Sequence, residues 1–251
     1  MSILVESSSG SVLFDTGQTD AWLENLGSLG AHLSEIKAIA LSHGHYDHAG
    51  GLGAAMRCLP SAEYYAHPAV FVAKYARSEN GLRYIGIPAD AASAGDAACF
   101  HFNRRPVEIL PGIMLSGEIP MRGGLHRLTS KFLVAGDEGV ELDTFEDEQC
   151  LILRGDSGTS VLLGCAHRGV ENNLLTAMCV ANTDELELVL GGLHLGGATE
   201  ERMSEVAEFF DKVRIKTIAC CHCTGKAAYE YLRDRLGSRV VLARAGMSWQ
   251  I

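Results

Sequence analysis

The stretch Leu41-Ser42-His43-Gly44-His45-Tyr46-Asp47-His48-Ala49-Gly50-Gly51 decides how this chain is read. Four metal-capable side chains, His43, His45, Asp47 and His48, fall within six residues. They follow the apolar run Ala38, Ile39, Ala40, Leu41 and precede a glycine pair, so a strand ending in a tight loop would turn all four toward one point. Imidazole and carboxylate donors together suit zinc, manganese or iron, and a cluster this dense can serve two ions. A histidine-rich polar loop is the bland alternative; the density of donors directly behind a strand argues against it.

Outward from this cluster the pattern is α/β. Residues 3–6 and 11–15 read as a hairpin, and Thr19 or Asp20 caps a helix over Trp22, Leu23 and Leu26. Residues 37–41 form a buried strand, residues 50–58 a helix and residues 63–66 another strand, while Pro68 opens a helix over 69–77. Residues 78–148 lose periodicity and read as an insertion or lid, with short strands at 107–110 and 113–116. Regular texture resumes at Cys150: strands at 151–153 and 161–165, a helix at 170–180, a strand at 186–190 and a helix at 200–213. A strand at 216–221, a helix at 226–236 and a strand at 239–242 complete it. No linker divides residues 1–251, so a single domain with two sheet halves is expected.

Composition narrows the function. With 47% hydrophobic and 21% charged residues the chain is globular, and its net charge of −10 disfavours sequence-independent nucleic-acid binding. No apolar run approaches the roughly 18 residues of a membrane span, and the opening residues carry no basic-then-apolar leader. A cytosolic protein with no membrane partner is expected. Its eight cysteines then read as reduced thiols, with Cys58, Cys99, Cys165 and Cys179 as small buried hydrophobes.

Further ligands should also sit at strand ends. His167 follows an apolar strand and Gly164-Cys165-Ala166; His194 follows Val189 to Leu193; His222 follows Thr217 to Cys221. Functional loops collect on the C-terminal edge of such strands. The other histidines carry weaker claims. His32 reads as surface, His67 as a supporting or substrate contact, and His101 and His126 as exposed or substrate-facing.

His-x-His-x-Asp-His after a strand, a distant His after Gly-Cys, and a late His at a strand end resemble the metallo-β-lactamase fold superfamily. More narrowly, FDTGQ (14–18), SHGHYDHAGGL (42–52), SGEIP (116–120), GCAHRGVENNL (164–174), GGLHL (191–195) and CHCTG (221–225) resemble one subgroup. It is the branch named for 7,8-dihydropterin-6-yl-methyl-4-(β-D-ribofuranosyl)aminobenzene 5′-phosphate synthase. The resemblance implies a four-layer αββα sandwich with two divalent metal ions, zinc foremost and manganese or iron as alternatives. His43, His45 and His167 would hold one ion, and Asp47, His48 and His222 the other. Many members bridge the metals with an Asp or Cys where this chain has Gly191-Gly192. His194, two residues on, either replaces that ligand or stands beside the metals as an acid or substrate contact, and the second reading is favoured.

Two cations about 4 Å apart would acidify a bridging water, with Asp47 orienting the nucleophile and His194 protonating the leaving group. Arg104, Arg105, Arg122, Arg127 and Lys131 stand out against an acidic background, either as a solvated face or as a lid that neutralises a phosphate or carboxylate. Thr224-Gly225, opening the helix at Lys226, adds backbone donors for an anion. Cys221 and Cys223 alternate away from His222 and are expected in the core. The expected activity is hydrolysis of a small anionic, phosphorylated substrate. The alternative is a pterin-pathway transferase that releases pyrophosphate. A redox role like that of the flavodiiron branch is disfavoured, because that branch carries Glu where this chain has His45.

Overall fold

A computed structural model describes residues 1–92, 100–123 and 128–251. Cys99, His126 and Arg127 lie outside the described residues. The chain forms two compact units: Met1–Arg105 with Ile109–Pro111 and Leu128–Gln149, and Pro106–Glu108 with Gly112–Arg127 and Cys150–Ile251.

The first unit opens with the antiparallel hairpin β1 (Ile3–Ser7) and β2 (Gly10–Phe14), followed by α1 (Ala21–Ser28) and β3 (Ile36–Ala40). A one-turn helix α2 (Tyr46–Ala49), the helix α3 (Leu52–Cys58) and β4 (Glu63–Ala66) come next. β5 (Lys74–Ser78), β6 (Gly81–Tyr84), the short α4 (Ala89–Ala92) and β7 (Phe100–Phe102) follow. Strand order in the main sheet is β1-β2-β3-β4-β7, parallel from β2 onward. β3 sits at its centre. Central parallel strands read as near-continuous apolar runs, and Ala38, Ile39 and Ala40 are buried accordingly. Trp22 and Leu26 of α1 and Leu52 and Ala55 of α3 close over Leu13, Ile39 and Tyr64 to make this unit's core.

β8 (Val107–Leu110), of which Val107 and Glu108 belong to the second unit, is the edge strand of a seven-stranded sheet, with β9 (Ile113–Leu115) beside it. In the first unit, β10 (Phe132–Gly136) and β11 (Gly139–Leu142) form a hairpin. The second unit continues with β12 (Leu151–Gly155), β13 (Gly158–Leu163), α5 (Val170–Ala181) and β14 (Glu185–Gly192). α6 (Glu200–Lys212), β15 (Arg214–Cys221), α7 (Lys226–Leu236) and β16 (Val240–Leu242) complete it. Its seven-stranded sheet runs β16-β15-β14-β13-β12-β9-β8, with β13 to β16 parallel. α6 shows why its face is buried: Met203, Val206, Ala207 and Phe210 recur at helical spacing and pack into the core. Thr199 caps its start by accepting the Arg202 amide at 3.2 Å. Full burial of Phe210 alone contributes about 1.5–3 kcal/mol. Among the described residues no helix is long and apolar enough to cross a membrane.

The α/β reading holds, with one local correction. The helix expected over 69–77 is a short 3-10 turn, Pro68–Phe71, followed by strand β5. β5 pairs with β10 and β6, and β11 completes a four-stranded antiparallel sheet, β11-β10-β5-β6. Proline set the turn correctly. The pairing partner that then extends the chain comes from residues 132–134, far beyond any local window.

Candidate metal centre

In the first unit, β3 delivers its chain into the loop as the sequence requires. The backbone beyond it is pinned at Gly44, whose amide donates to Asp147 Oδ2 at 2.7 Å, and at Tyr46, whose amide donates to the Ile85 carbonyl at 2.9 Å. Residue 44 has to be glycine, because a Cβ there would stand 2.0 Å from the Val70 carbonyl oxygen. His43, His45 and His48 are all buried. Their rings crowd together, with centroids 4.7 Å apart for His43 and His45 and 4.3 Å for His43 and His48.

Asp15, at the end of β2, organises the cluster. Its Oδ1 accepts the Ser42 amide at 2.7 Å, and its Oδ2 accepts the Ser42 hydroxyl at 2.7 Å and Nδ1–H of His48 at 2.6 Å. With its proton committed to Asp15, the Ser42 oxygen accepts from Nδ1–H of His43 at 2.9 Å. Both rings are thereby held in the tautomer whose Nε2 carries the lone pair, as metal-ligating imidazoles require. The backbone of Asp15 is left-handed, φ 62°, a conformation that is costly for a side-chain-bearing residue. The sequence pattern FDTGQ (14–18) does not by itself assign Asp15 this role. A carboxylate at the end of the strand beside β3 was the available signal.

The donors pair off. Nε2 of His43 lies 3.1 Å from Nδ1 of His45, and Nε2 of His48 lies 3.9 Å from Oδ2 of Asp47. Two nitrogens on one tetrahedral zinc stand about 3.3 Å apart, so the first pair fits a shared ion without rearrangement. Asp47 is the solvent-facing member, its side chain 31% exposed. His45 is held neutral: burial, then the Lys74 ammonium, push its pKa down to about 3, against Asp147 and Asp47. Neutral imidazole is the ligating form. Lys74 is itself buried, 3.0 Å from Asp147 and 3.4 Å from Asp143. Burial works to lower its pKa, but the two carboxylates outweigh it and raise it. The ring of His45 lies 5.6 Å from Phe132 and 5.9 Å from Phe145, which wall it from water.

His67 is buried with Nδ1 accepting the Ala69 amide at 3.1 Å, and its Nε2 is 3.4 Å from a guanidinium nitrogen of Arg104. Arg104 and Arg105 are exposed. His101 is also exposed, paired with Glu63 and stacked on Tyr65. His32 is at the surface as expected.

In the second unit, three neighbouring parallel strands, β13, β14 and β15, release His167, His194 and His222 from the same sheet edge. His167 is buried, His194 half-buried and His222 exposed, and the rings of His167 and His194 lie 4.3 Å apart. Ala166, His194 and His222 all adopt left-handed backbone, φ 56°, 51° and 52°. Three such residues at adjacent strand ends mark a place where geometry outranks conformational comfort.

Cys223 departs from the expectation that it packs into the core away from His222. The chain turns into a short 3-10 helix, His222–Thr224, so strand alternation stops at Cys221. The Cys223 thiol is drawn to Cys165 and His194, and the ligand atoms of these three residues all lie within 4.8 Å of one another. Hydrogen bonding to Cys165 and to His194, with electrostatic attraction to His194 and then His222, holds this thiol well below the usual range despite its burial. By contrast, burial pushes the Cys220 and Cys221 thiols up, to about 12 and about 11. Thr224 is buried and its hydroxyl accepts the Leu193 amide at 3.0 Å, while Gly225 opens α7 at φ 76°. One guanidinium nitrogen of Arg122 is engaged by α5, at 3.2 Å from the Asn172 carbonyl and 3.1 Å from the Thr176 hydroxyl.

A family model described as the metallo-beta-lactamase superfamily matches residues 1–152. The chain is 31% identical to Tm1679, a metal-dependent hydrolase of the beta-lactamase superfamily, covering 98% of this chain and 93% of that one with a TM-score of 0.82. It is 28% identical over 238 residues to the 7,8-dihydropterin-6-methyl-4-(beta-D-ribofuranosyl)-aminobenzene-5'-phosphate synthase of Methanocaldococcus jannaschii, covering 90% of this chain and 80% of that protein. An uncharacterized protein of the same organism is 30% identical over 226 residues, with 89% and 83% covered.

Proposed function

The chain belongs to the metallo-beta-lactamase superfamily, and from that footing we propose that it is a metal-dependent hydrolase of a small anionic, phosphorylated substrate. The pairing of His43 with His45 and of Asp47 with His48 carries the reading, because it offers donors for two ions. The likeness to Tm1679, described as a metal-dependent hydrolase, supports it. His167 and His222 are proposed as further metal ligands, and zinc is the ion that the donor set favours.

When bound, the ions supply Lewis acidity and stabilise charge that builds up in the transition state. The chain's own residues do the rest. Asp15 and Ser42 keep the His48 and His43 rings in one tautomer and one orientation. Asp47, partly open to solvent, accepts a hydrogen bond from the attacking water and orients it. Arg104 and Arg105, exposed and cationic, are proposed to meet the substrate anion. Arg122, and Thr224-Gly225 at the start of α7, are proposed as anion contacts in their own unit.

A second reading is a transferase that displaces pyrophosphate, supported by the 28% identity to the pterin-pathway synthase. One assay separates the two. Metal-replete protein is screened on phosphoesters for phosphate, and on pterin methyl diphosphate with a ribosyl-aminobenzene phosphate for pyrophosphate. Phosphate release supports the hydrolase and pyrophosphate release the transferase. Undiminished metal in His43→Ala would refute the ligand assignment shared by both.

A further inference from the structure

The second unit carries two thiols that the proposed hydrolase does not use, Cys165 and Cys223, beside His194. Cys165, His194 and Cys223 come from three separate strand ends, yet their Sγ, ring-nitrogen and Sγ atoms lie within 4.8 Å of one another. Cys165 is buried, and Cys223 and His194 are half-buried. Two sulfurs and an imidazole at this spacing are the donor set of a tetrahedral soft-metal site, where ligand atoms stand about 3.3–3.8 Å apart.

The backbone around the group is shaped to keep it open. β14 ends in Gly191-Gly192, and a Cβ on Gly192 would stand 2.5 Å from the Cys223 sulfur and 3.4 Å from the Cys165 Cα. Any side chain at 192 would therefore fill the space that the Cys223 thiol enters. Gly191, at φ 143°, passes so close to β13 that a Cβ would stand 2.2 Å from the Leu163 carbonyl oxygen. This close approach brings the end of β14 down beside Cys165. His194 is then turned inward by a left-handed backbone at φ 51°. The Gly196 amide donates to the Cys223 carbonyl at 2.9 Å, and the Leu193 amide donates to Thr224 at 3.0 Å. His194 is thus bracketed by two hydrogen bonds to the segment that carries Cys223.

We infer that Cys165, His194 and Cys223 form a thiolate-imidazole zinc site, with a fourth position for water or another ligand. Each thiol passes its proton to solvent as the ion binds. The inference goes beyond the hydrolase reading and reassigns His194 from proton donor to ligand. It makes this protein's metal chemistry partly sulfur-based, which an all-histidine-and-carboxylate set would not be.

The test uses the whole, reduced protein, stripped by chelator and titrated with Co(II) alone. Wild type should develop the near-ultraviolet sulfur-to-cobalt charge-transfer band. Cys165→Ser and Cys223→Ser should each lose about half of it, and the double variant all of it. Gly192→Ala should weaken the band without removing a sulfur, and circular dichroism reports whether it has folded. His43→Ala should keep the band while losing metal elsewhere, which separates this inference from the hydrolase reading. Absence of the band in wild type at saturating Co(II), or its persistence in the folded double variant, would overturn the proposal. So would native zinc content equal in wild type and the double variant.

Discussion

Nζ of Lys74 stands 3.0 Å from Oδ1 of Asp147, both side chains are shut off from solvent, and the other oxygen of that carboxylate receives the Gly44 amide at 2.7 Å. A buried charge therefore holds the turn that presents His43 and His45. Asp143 joins the pair at 3.4 Å and also accepts the Phe145 amide at 2.7 Å.

Lys74→Met should leave two buried carboxylates without a cation and destabilise the fold by about 3–5 kcal/mol. Urea unfolding measures it. Adding Asp147→Asn to Lys74→Met should recover part of the loss. The sign with pH is fixed by the raised Lys74 pKa: its contribution is complete below the ordinary value of 10.5 and is lost as pH climbs through the folded value.

Acid should weaken the metal-free protein through His45. Its folded pKa of about 3 lies below the ordinary 6.5, so the unfolded chain takes up a proton that the native state refuses. This stability is complete above 6.5 and drains away as pH falls toward 3. Melting temperatures of wild type and His45→Gln across that window check it. The variant should show the shallower dependence.

Asp15→Asn should preserve shape but disrupt the hydrogen bonds that orient His48 and Ser42. Loss of such a carboxylate partner lowers metal affinity about 10- to 100-fold. Competition with a chromogenic chelator measures this, and an unchanged affinity would remove Asp15 from the site.

Arg202 grips Glu171 with both arms, at 2.7 and 2.6 Å, and ties α6 to the first turn of α5. The Glu171 carboxylate is almost fully buried, while the arginine is partly exposed. Arg202→Ala should cost about 2–3 kcal/mol, less than for a fully enclosed pair. Arg202→Lys should fall between, since it restores charge but not the planar fork. Thermal unfolding of the three proteins ranks them.

Much of this was legible in the chain itself, for a physical reason. Residues 41–51 combine an apolar strand with a compact set of donors, so the first histidine group could be located from local pattern alone. His167, His194 and His222 were likewise marked by the apolar strands that precede them. Asp15 was not given a role, because its partners Ser42 and His48 are distant in sequence. The small sheet of β5, β6, β10 and β11 was hidden because its pairings span the loose middle of the chain. Cys223 departs from the sequence pattern for a different reason. Alternation presumes extended backbone, and the left-handed turn at His222 ends it one residue too soon for the rule.

β13, β14 and β15 lie side by side and parallel. Adjacent rungs of a parallel ladder are fixed relative to one another by their hydrogen bonds, so the sheet acts as a ruler for the imidazoles that leave it. A slip of one residue in any of these pairings would carry its histidine about 3.3 Å along the strand and turn it to the opposite face. Misfolded and metal-incompetent molecules would then be the same population, and bound metal would count the correctly assembled ones.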